Sequence, residues 1–166
     1  MEAQEQKEGI VMANVYEKLK EMNIQLPPPP PKGGVYTPVV EFGDHLLYCS
    51  GCGPDLGNGN TVVGKVGRDL TIEEGQKAAY NCMLNLLANL EAKLGDLNRI
   101  KRFVKVLAFV NSADDFASQP MVVNGGSNLI KALFGDEIGV PARTAIGVNA
   151  TPGNIAVEIE MLVEFE

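Results

Sequence analysis

The chain contains no tryptophan, one histidine and three cysteines, and its basic residues are outnumbered. A single histidine cannot build a multi-histidine metal centre or a histidine-rich pH switch. An odd cysteine count speaks against a disulfide framework and for a reducing interior. No apolar run approaches the roughly 20 residues needed to cross a bilayer. Residues Met1 to Gly9 are polar and acidic, without the basic region and apolar core of a secretory signal, so a cytoplasmic protein with no membrane association is expected. Lysine and arginine total 14 against 21 aspartates and glutamates, a net charge of −7, which disfavours a phosphate-binding surface and nucleic-acid partners.

What remains is ordinary globular composition, with 45% apolar and 21% charged residues over 166 positions. That length suits one domain with a short extension. The extension, residues 1–32, reads as a helix and a proline strap, and the domain as residues 33–166. Between Ile10 and Met22 the apolar positions Val11, Val15, Leu19 and Met22 follow the helical period. The run Pro27 to Pro31 then removes five backbone donors and favours an extended polyproline segment. A ligand for an SH3-type module would carry a flanking basic anchor in the usual manner, which this run lacks, so a stiff strap is the simpler reading.

Downstream, Val35 to Phe42 and Leu46 to Ser50 read as strands around a Gly43-Asp44-His45 turn, and Gly51 to Gly67 as a glycine-rich loop. This loop has neither the P-loop lysine nor a turn opening directly into a helix, so it is not a phosphate cradle. Thr71 to Glu74 matches a capping box, and the helix it opens carries the stripe Ala79, Met83, Leu86, Leu90 and Leu94, thickened by Cys82 and Leu87, before Gly95 stops it. Ile100 to Val110 reads as a strand and Asp114 to Phe134 as a second helical region, irregular near Pro120 and Gly125-Gly126. Two strands follow, Ala142 to Ala150 and Ile155 to Phe165, around a Pro152-Gly153 turn. The order β-β-α-β-α-β-β after the first helix implies an α+β fold with two long helices on one face of a mostly antiparallel sheet. In the last strand Val157, Ile159, Met161, Val163 and Phe165 share one face, and Glu158, Glu160, Glu164 and Glu166 share the other.

Several residues could carry chemistry. Cys49-Ser50-Gly51-Cys52 has redox-motif spacing, but it ends a strand instead of opening a helix and has no second ligand pair for zinc, so small buried residues are the simpler reading. His45 sits in a turn with no nucleophile beside it and reads as a surface residue. Arg143 lies at the start of a strand among small and apolar neighbours, where a guanidinium needs a partner. Two partners fit: Glu158 or Glu160 on a facing strand, or a substrate carboxylate held in two hydrogen bonds.

Taken together, these residues resemble a known family. Val140-Pro141-Ala142-Arg143-Thr144, followed after a Pro-Gly turn by Val157-Glu158-Ile159-Glu160, resembles the C-terminal signature of the Rid/YjgF proteins, the enamine and imine deaminases. Val35-Tyr36, the strand ending in Ser50-Gly51, and Val104-Lys105-Val106 with Asp115-Phe116-Ala117 are also similar to it. The resemblance spans roughly Gly33 to Phe165, and the helix and strap before it look like a longer subgroup. It implies a chorismate-mutase-like (ferredoxin-like) fold and a homotrimer with a central barrel and a cleft at each subunit interface. The implied reaction is hydrolysis of a 2-imino acid, formed from an enamine such as 2-aminoacrylate, to a 2-oxo acid and ammonia. By this resemblance Arg143 holds the carboxylate of a small substrate, Glu158 orients or activates water, and Tyr36 donates a hydrogen bond or proton across the interface. Ser50 and Gly51 line the pocket, and no metal or cofactor is required.

Three departures bear on substrate choice. Ala145 stands where deaminating members often carry a cysteine, leaving its backbone carbonyl to hold the water. The family's substrate-binding asparagine has several candidate counterparts, Asn124, Ser127 and Asn128. The Gly51-Cys52-Gly53 stretch lacks the glutamine common there. The alternatives are a non-catalytic protein that captures a small carboxylate or other metabolite, and the ribonuclease activity sometimes attributed to the family, which the acidic charge disfavours.

Overall fold

The computed structural model describes residues 14–166. The elements are α1 (Val15–Glu21), β1 (Val39–Phe42), β2 (Leu46–Cys52), β3 (Asp55–Gly57), β4 (Asn60–Thr61), α2 (Ile72–Leu94), β5 (Ile100–Asn111), α3 (Gln119–Gly139), β6 (Ala142–Val148) and β7 (Val157–Phe165). Strand order in the main sheet is β1-β2-β7-β5-β6, antiparallel except for the parallel pair β5 and β6. β2 and β5 are both antiparallel to β7 and so run parallel to each other. Each long helix therefore joins two parallel strands, α2 from β2 to β5 and α3 from β5 to β6. Both crossovers step in the same direction along the sheet, and the right-handed rule puts both helices on the same face. The result is the mixed α+β arrangement expected, with α1 packed against α3 as a third helix.

Local signals explain the helices. Thr71 Oγ1 accepts from the Glu74 amide at 3.1 Å while Glu74 Oε2 accepts from the Thr71 amide at 2.8 Å, and Gly95 closes α2 at φ 77°. Every residue of the expected α2 stripe is buried. Ile10 and Val11 of the expected first helix lie outside the described residues. The described helix is capped by Asn14 and buries Val15 and Leu19 in the shared core.

Three segments differ from expectation. The first strand begins at Val39 and not at Val35, because Pro38 has no N–H to give to the sheet, so Tyr36 lies in the segment before it. The second long helix begins at Gln119, not at Asp114, because Pro120 takes an N-terminal position where its missing N–H has no intrahelical partner to lose. Gly125 and Gly126 do not disrupt this helix. A Cβ on Gly125 would collide with the Gln76 carbonyl and one on Gly126 would lie 2.8 Å from the Ala79 carbonyl, so the pair lets α3 approach the α2 backbone. Within the expected loop after Gly51, β3 and β4 form a small antiparallel hairpin around Asn58, whose φ of 55° suits the turn.

The core lies between the sheet and the helices, with Val157, Ile159, Met161, Val163 and Phe165 of β7 facing it. Among the described residues no helix covers the opposite sheet face. That face presents Val40, Phe42 and Tyr48 at one side and Ile146 at the other, each more than two-fifths exposed, with the β7 glutamates between. Among the described residues, no helix is long and apolar enough to cross a membrane.

Candidate functional site

The strand pair β2 and β7 loses register between Cys49 and Cys52, and this bulge brings Ser50 and Gly51 against Glu158. A methyl group on Gly51 would strike Glu158 Oε1 and sit 3.0 Å from its Cδ and 3.1 Å from its Cγ. Gly51 is therefore required for the carboxylate to lie where it does. The segment before β1 is tied to the same bulge: Ser50 Oγ donates to the Thr37 carbonyl at 2.7 Å and the Ser50 amide to the Pro38 carbonyl at 2.9 Å. With its proton committed, the Ser50 hydroxyl can accept a hydrogen bond but has none left to give. Tyr36, Ser50, Gly51 and Glu158 line one cavity of about 290 Å³, closed on one side by Pro30, Pro31 and Lys32. Burial, and secondarily the neighbouring Glu160, raises the Glu158 carboxyl above the ordinary carboxylate value. Glu160 is itself held by Tyr48, whose hydroxyl donates to Oε1 at 2.8 Å.

Gly51→Ala is expected to leave the fold intact and displace the Glu158 carboxylate, lowering any Glu158-dependent activity by about 10- to 100-fold. A crystal structure of the variant and its steady-state kinetics check this.

Arg143 stands in a different place. It is in register with Val106 of β5, which is in register with Met161 of β7, and both partners are core residues, so Arg143 leaves β6 on the helix side. There its Nη1 donates to Asn124 Oδ1 at 2.8 Å and to Ser127 Oγ at 3.1 Å. Asn124 and Ser127 are three residues apart on α3 and share a face, a spacing that marks them in sequence as a possible joint anchor. Arg143, Asn124, Ser127 and Asn128 line a second cavity of about 210 Å³ with Lys131 and Pro141.

Pairing of Arg143 with Glu158 or Glu160 within the chain does not occur. β5 lies between β6 and β7, and Glu158 is in register with Phe109 and Ile146, on the face away from the helices. Glu158 is three positions along and two strands across from Arg143, roughly 14 Å by standard strand rise and spacing. Among the described residues no carboxylate makes an ion pair with Arg143, and its Nε and Nη2 edge has no intrachain acceptor. That edge is a planar two-donor fork of carboxylate geometry.

The other candidates divide. Ala145, in register with Ala108, packs half-buried against the core and lines neither cavity. His45 is exposed in its turn at φ 62°, edge-on to Phe165. Cys49 and Cys52 are buried, and burial pushes both thiols up to about 12, so neither is a ready thiolate nucleophile at neutral pH. Cys82 is buried in α2 and its thiol donates to the Val157 carbonyl. A groove of about 570 Å³ between α1 and the end of α3 contains none of the candidate residues. The contribution of the strap to the Glu158 cavity is the feature that sequence reasoning missed. A proline run signals stiffness and not its neighbours.

Comparison with known proteins adds an independent line. The sequence model described as Endoribonuclease L-PSP matches residues 29–165. Protein TCP17 of Trypanosoma cruzi is 42% identical over 156 residues, covering 94% of each chain. Among solved structures, Atu1372 of Agrobacterium tumefaciens, of unknown function, is 40% identical with a TM-score of 0.82, covering 92% of this chain and 94% of that one. RidA from the Antarctic bacterium Psychrobacter sp. PAMC 21119 is 26% identical with a TM-score of 0.54, covering 82% and 93% respectively.

Proposed function

Because the chain belongs to the endoribonuclease L-PSP family, which includes the Rid/YjgF proteins, we propose that it hydrolyses small 2-imino acids to 2-oxo acids and ammonia at sites completed between the subunits of a homotrimer. The observation that carries this reading is Arg143, anchored through Nη1 by two neutral side chains, with its two-donor edge unpaired among the described residues. An arginine whose partner were structural would be paired; this one is held ready for an acid from outside the chain.

In the proposed reaction a water adds to the imine carbon of 2-iminopropionate, the nitrogen gains a proton, and the carbinolamine breaks its C–N bond to give pyruvate and ammonia. Glu158 takes the water's proton. Its raised proton affinity brings it closer to neutral pH and makes it a stronger base than an ordinary surface carboxylate. Tyr36 donates to the substrate, and Ser50 accepts from the imine N–H. The Arg143 half and the Glu158 half are too far apart to share a small substrate within one chain. Association through the helix-free sheet face, with its exposed Val40, Phe42, Tyr48 and Ile146, would cover apolar surface, and because β6 is the sheet's edge strand, contact along that edge would let one subunit's Arg143 meet a neighbour's Glu158.

The test is a coupled assay that generates 2-iminopropionate in situ. Faster release of pyruvate and ammonia is expected, with activity lost on acidification as Glu158 is protonated, at a higher pH than for an unperturbed glutamate. No acceleration over the uncatalysed rate sinks the reading. One observation favours a second reading, capture of a small carboxylate without turnover: Ala145 offers no side chain to hold water. Saturable binding dependent on Arg143, with no turnover of several imines, would select it. RNA cleavage, which the family's name suggests, has the −7 charge against it, and RNA left intact by rigorously purified protein would exclude it.

A further inference from the structure

The Glu158 cavity has a wall that does not come from the sheet. Pro30, Pro31, Lys32 and Gly33 close one side of it, and Pro30 is half-buried there. A run of five prolines has little conformational freedom, so this wall is in place before any ligand arrives. Gly33, two residues beyond the run, donates its peptide N–H to the Tyr36 hydroxyl at 3.2 Å. On the other side of Tyr36, Thr37 and Pro38 are bonded to Ser50. Tyr36 is thus fixed between the strap and the bulge.

The direction of the Gly33 bond matters. A tyrosine hydroxyl has one proton to give and lone pairs to receive. Because Gly33 donates, a lone pair is used and the phenolic proton stays available, at the rim of the cavity holding Glu158. We infer that the strap is a working part of the site, and that Gly33 is a positioning residue whose N–H holds the Tyr36 hydroxyl as a hydrogen-bond donor to the ligand's carbonyl or imine group. This rests on Tyr36 acting as donor in the reaction proposed above.

Gly33 allows a clean test, because a Cβ there meets nothing within 4 Å. Gly33→Ala keeps the N–H, whereas Gly33→Pro removes it. Calorimetric affinity for pyruvate, whose keto oxygen would accept from Tyr36, is measured for the wild type, both Gly33 variants, Tyr36→Phe and the Gly33→Pro/Tyr36→Phe double variant. Gly33→Pro and Tyr36→Phe should each weaken pyruvate binding by about five- to tenfold, the scale of one neutral hydrogen bond. The double variant should lose no more than either alone, and Gly33→Ala should restore the wild-type value. With 2-iminopropionate, the Gly33→Pro loss should appear in kcat as well as KM. Wild-type affinity in Gly33→Pro, or losses that multiply in the double variant, overturns the inference. Pyruvate binding without imine turnover overturns the proposed reaction alone, since the affinity series still decides the role of Gly33. A wild type that binds no pyruvate overturns both.

Discussion

Arg143→Ala is expected to lower kcat/KM for 2-iminopropionate by about 10²- to 10³-fold, the loss of two charge-assisted hydrogen bonds worth about 3–4 kcal/mol together. Most of the effect should fall on KM, because the carboxylate is held equally in the ground and transition states. A smaller part should fall on kcat, because a substrate without its anchor presents the imine carbon poorly to the water. Arg143→Lys should recover little. An ammonium is a point charge and cannot reproduce the planar Nε and Nη2 pair while Nη1 stays bonded to Asn124 and Ser127. The fold should survive either change, since Asn124 is exposed and Ser127 half-buried, so water can replace the lost guanidinium. Thermal melting separates this from instability: a Tm within a few degrees of wild type alongside the kinetic loss supports the role, and unchanged kcat/KM in Arg143→Ala removes the basis of the reading. Asn124→Ala should fall between, because it frees the guanidinium to rotate without removing it.

Parts of this arrangement were legible in the sequence because local rules govern them. The capping box at Thr71 and Glu74, the stripe of α2 and the two-residue alternation of β7 depend on neighbours a few positions away, and the structure keeps all three. The start of α3 was misplaced because two aspartates look like caps, whereas Pro120 decides the boundary. The β3–β4 hairpin was missed because strands of three and two residues are too short to show a period. At the site, Arg143 and Glu158 stood out as charges on strands. Their relation could not be read locally, because strand order in space is set by the crossovers, and β5 enters between β6 and β7. The bulge that sets Gly51 on Glu158 is a register event between strands distant in sequence, which no single segment encodes.

The separation of Arg143 from Glu158 makes a second prediction with a large effect. If one subunit supplies Arg143 and a neighbour supplies Glu158, two inactive variants should repair each other. In co-expressed Arg143→Ala and Glu158→Gln subunits, each interface site draws its two halves from different chains. Random assembly in a cyclic trimer then gives about one quarter of sites an intact pair. Either variant alone should retain only residual activity, so the mixture should rise well above both, toward about a quarter of the wild-type rate per site. The reciprocal mixture discriminates further. Combining the wild type with the Arg143→Ala/Glu158→Gln double variant at equal dose should leave about one quarter of sites intact if the halves come from two chains, but about one half if each chain held a complete site. Differently tagged subunits, purified through both tags in sequence, restrict the measurement to mixed assemblies, in which the expected intact fraction becomes about one third for the complementing pair, and about one sixth against one half for the reciprocal mixture. Activity no greater than that of the separate variants would place both residues in one chain's site or outside the site altogether, against the geometry of opposite sheet faces.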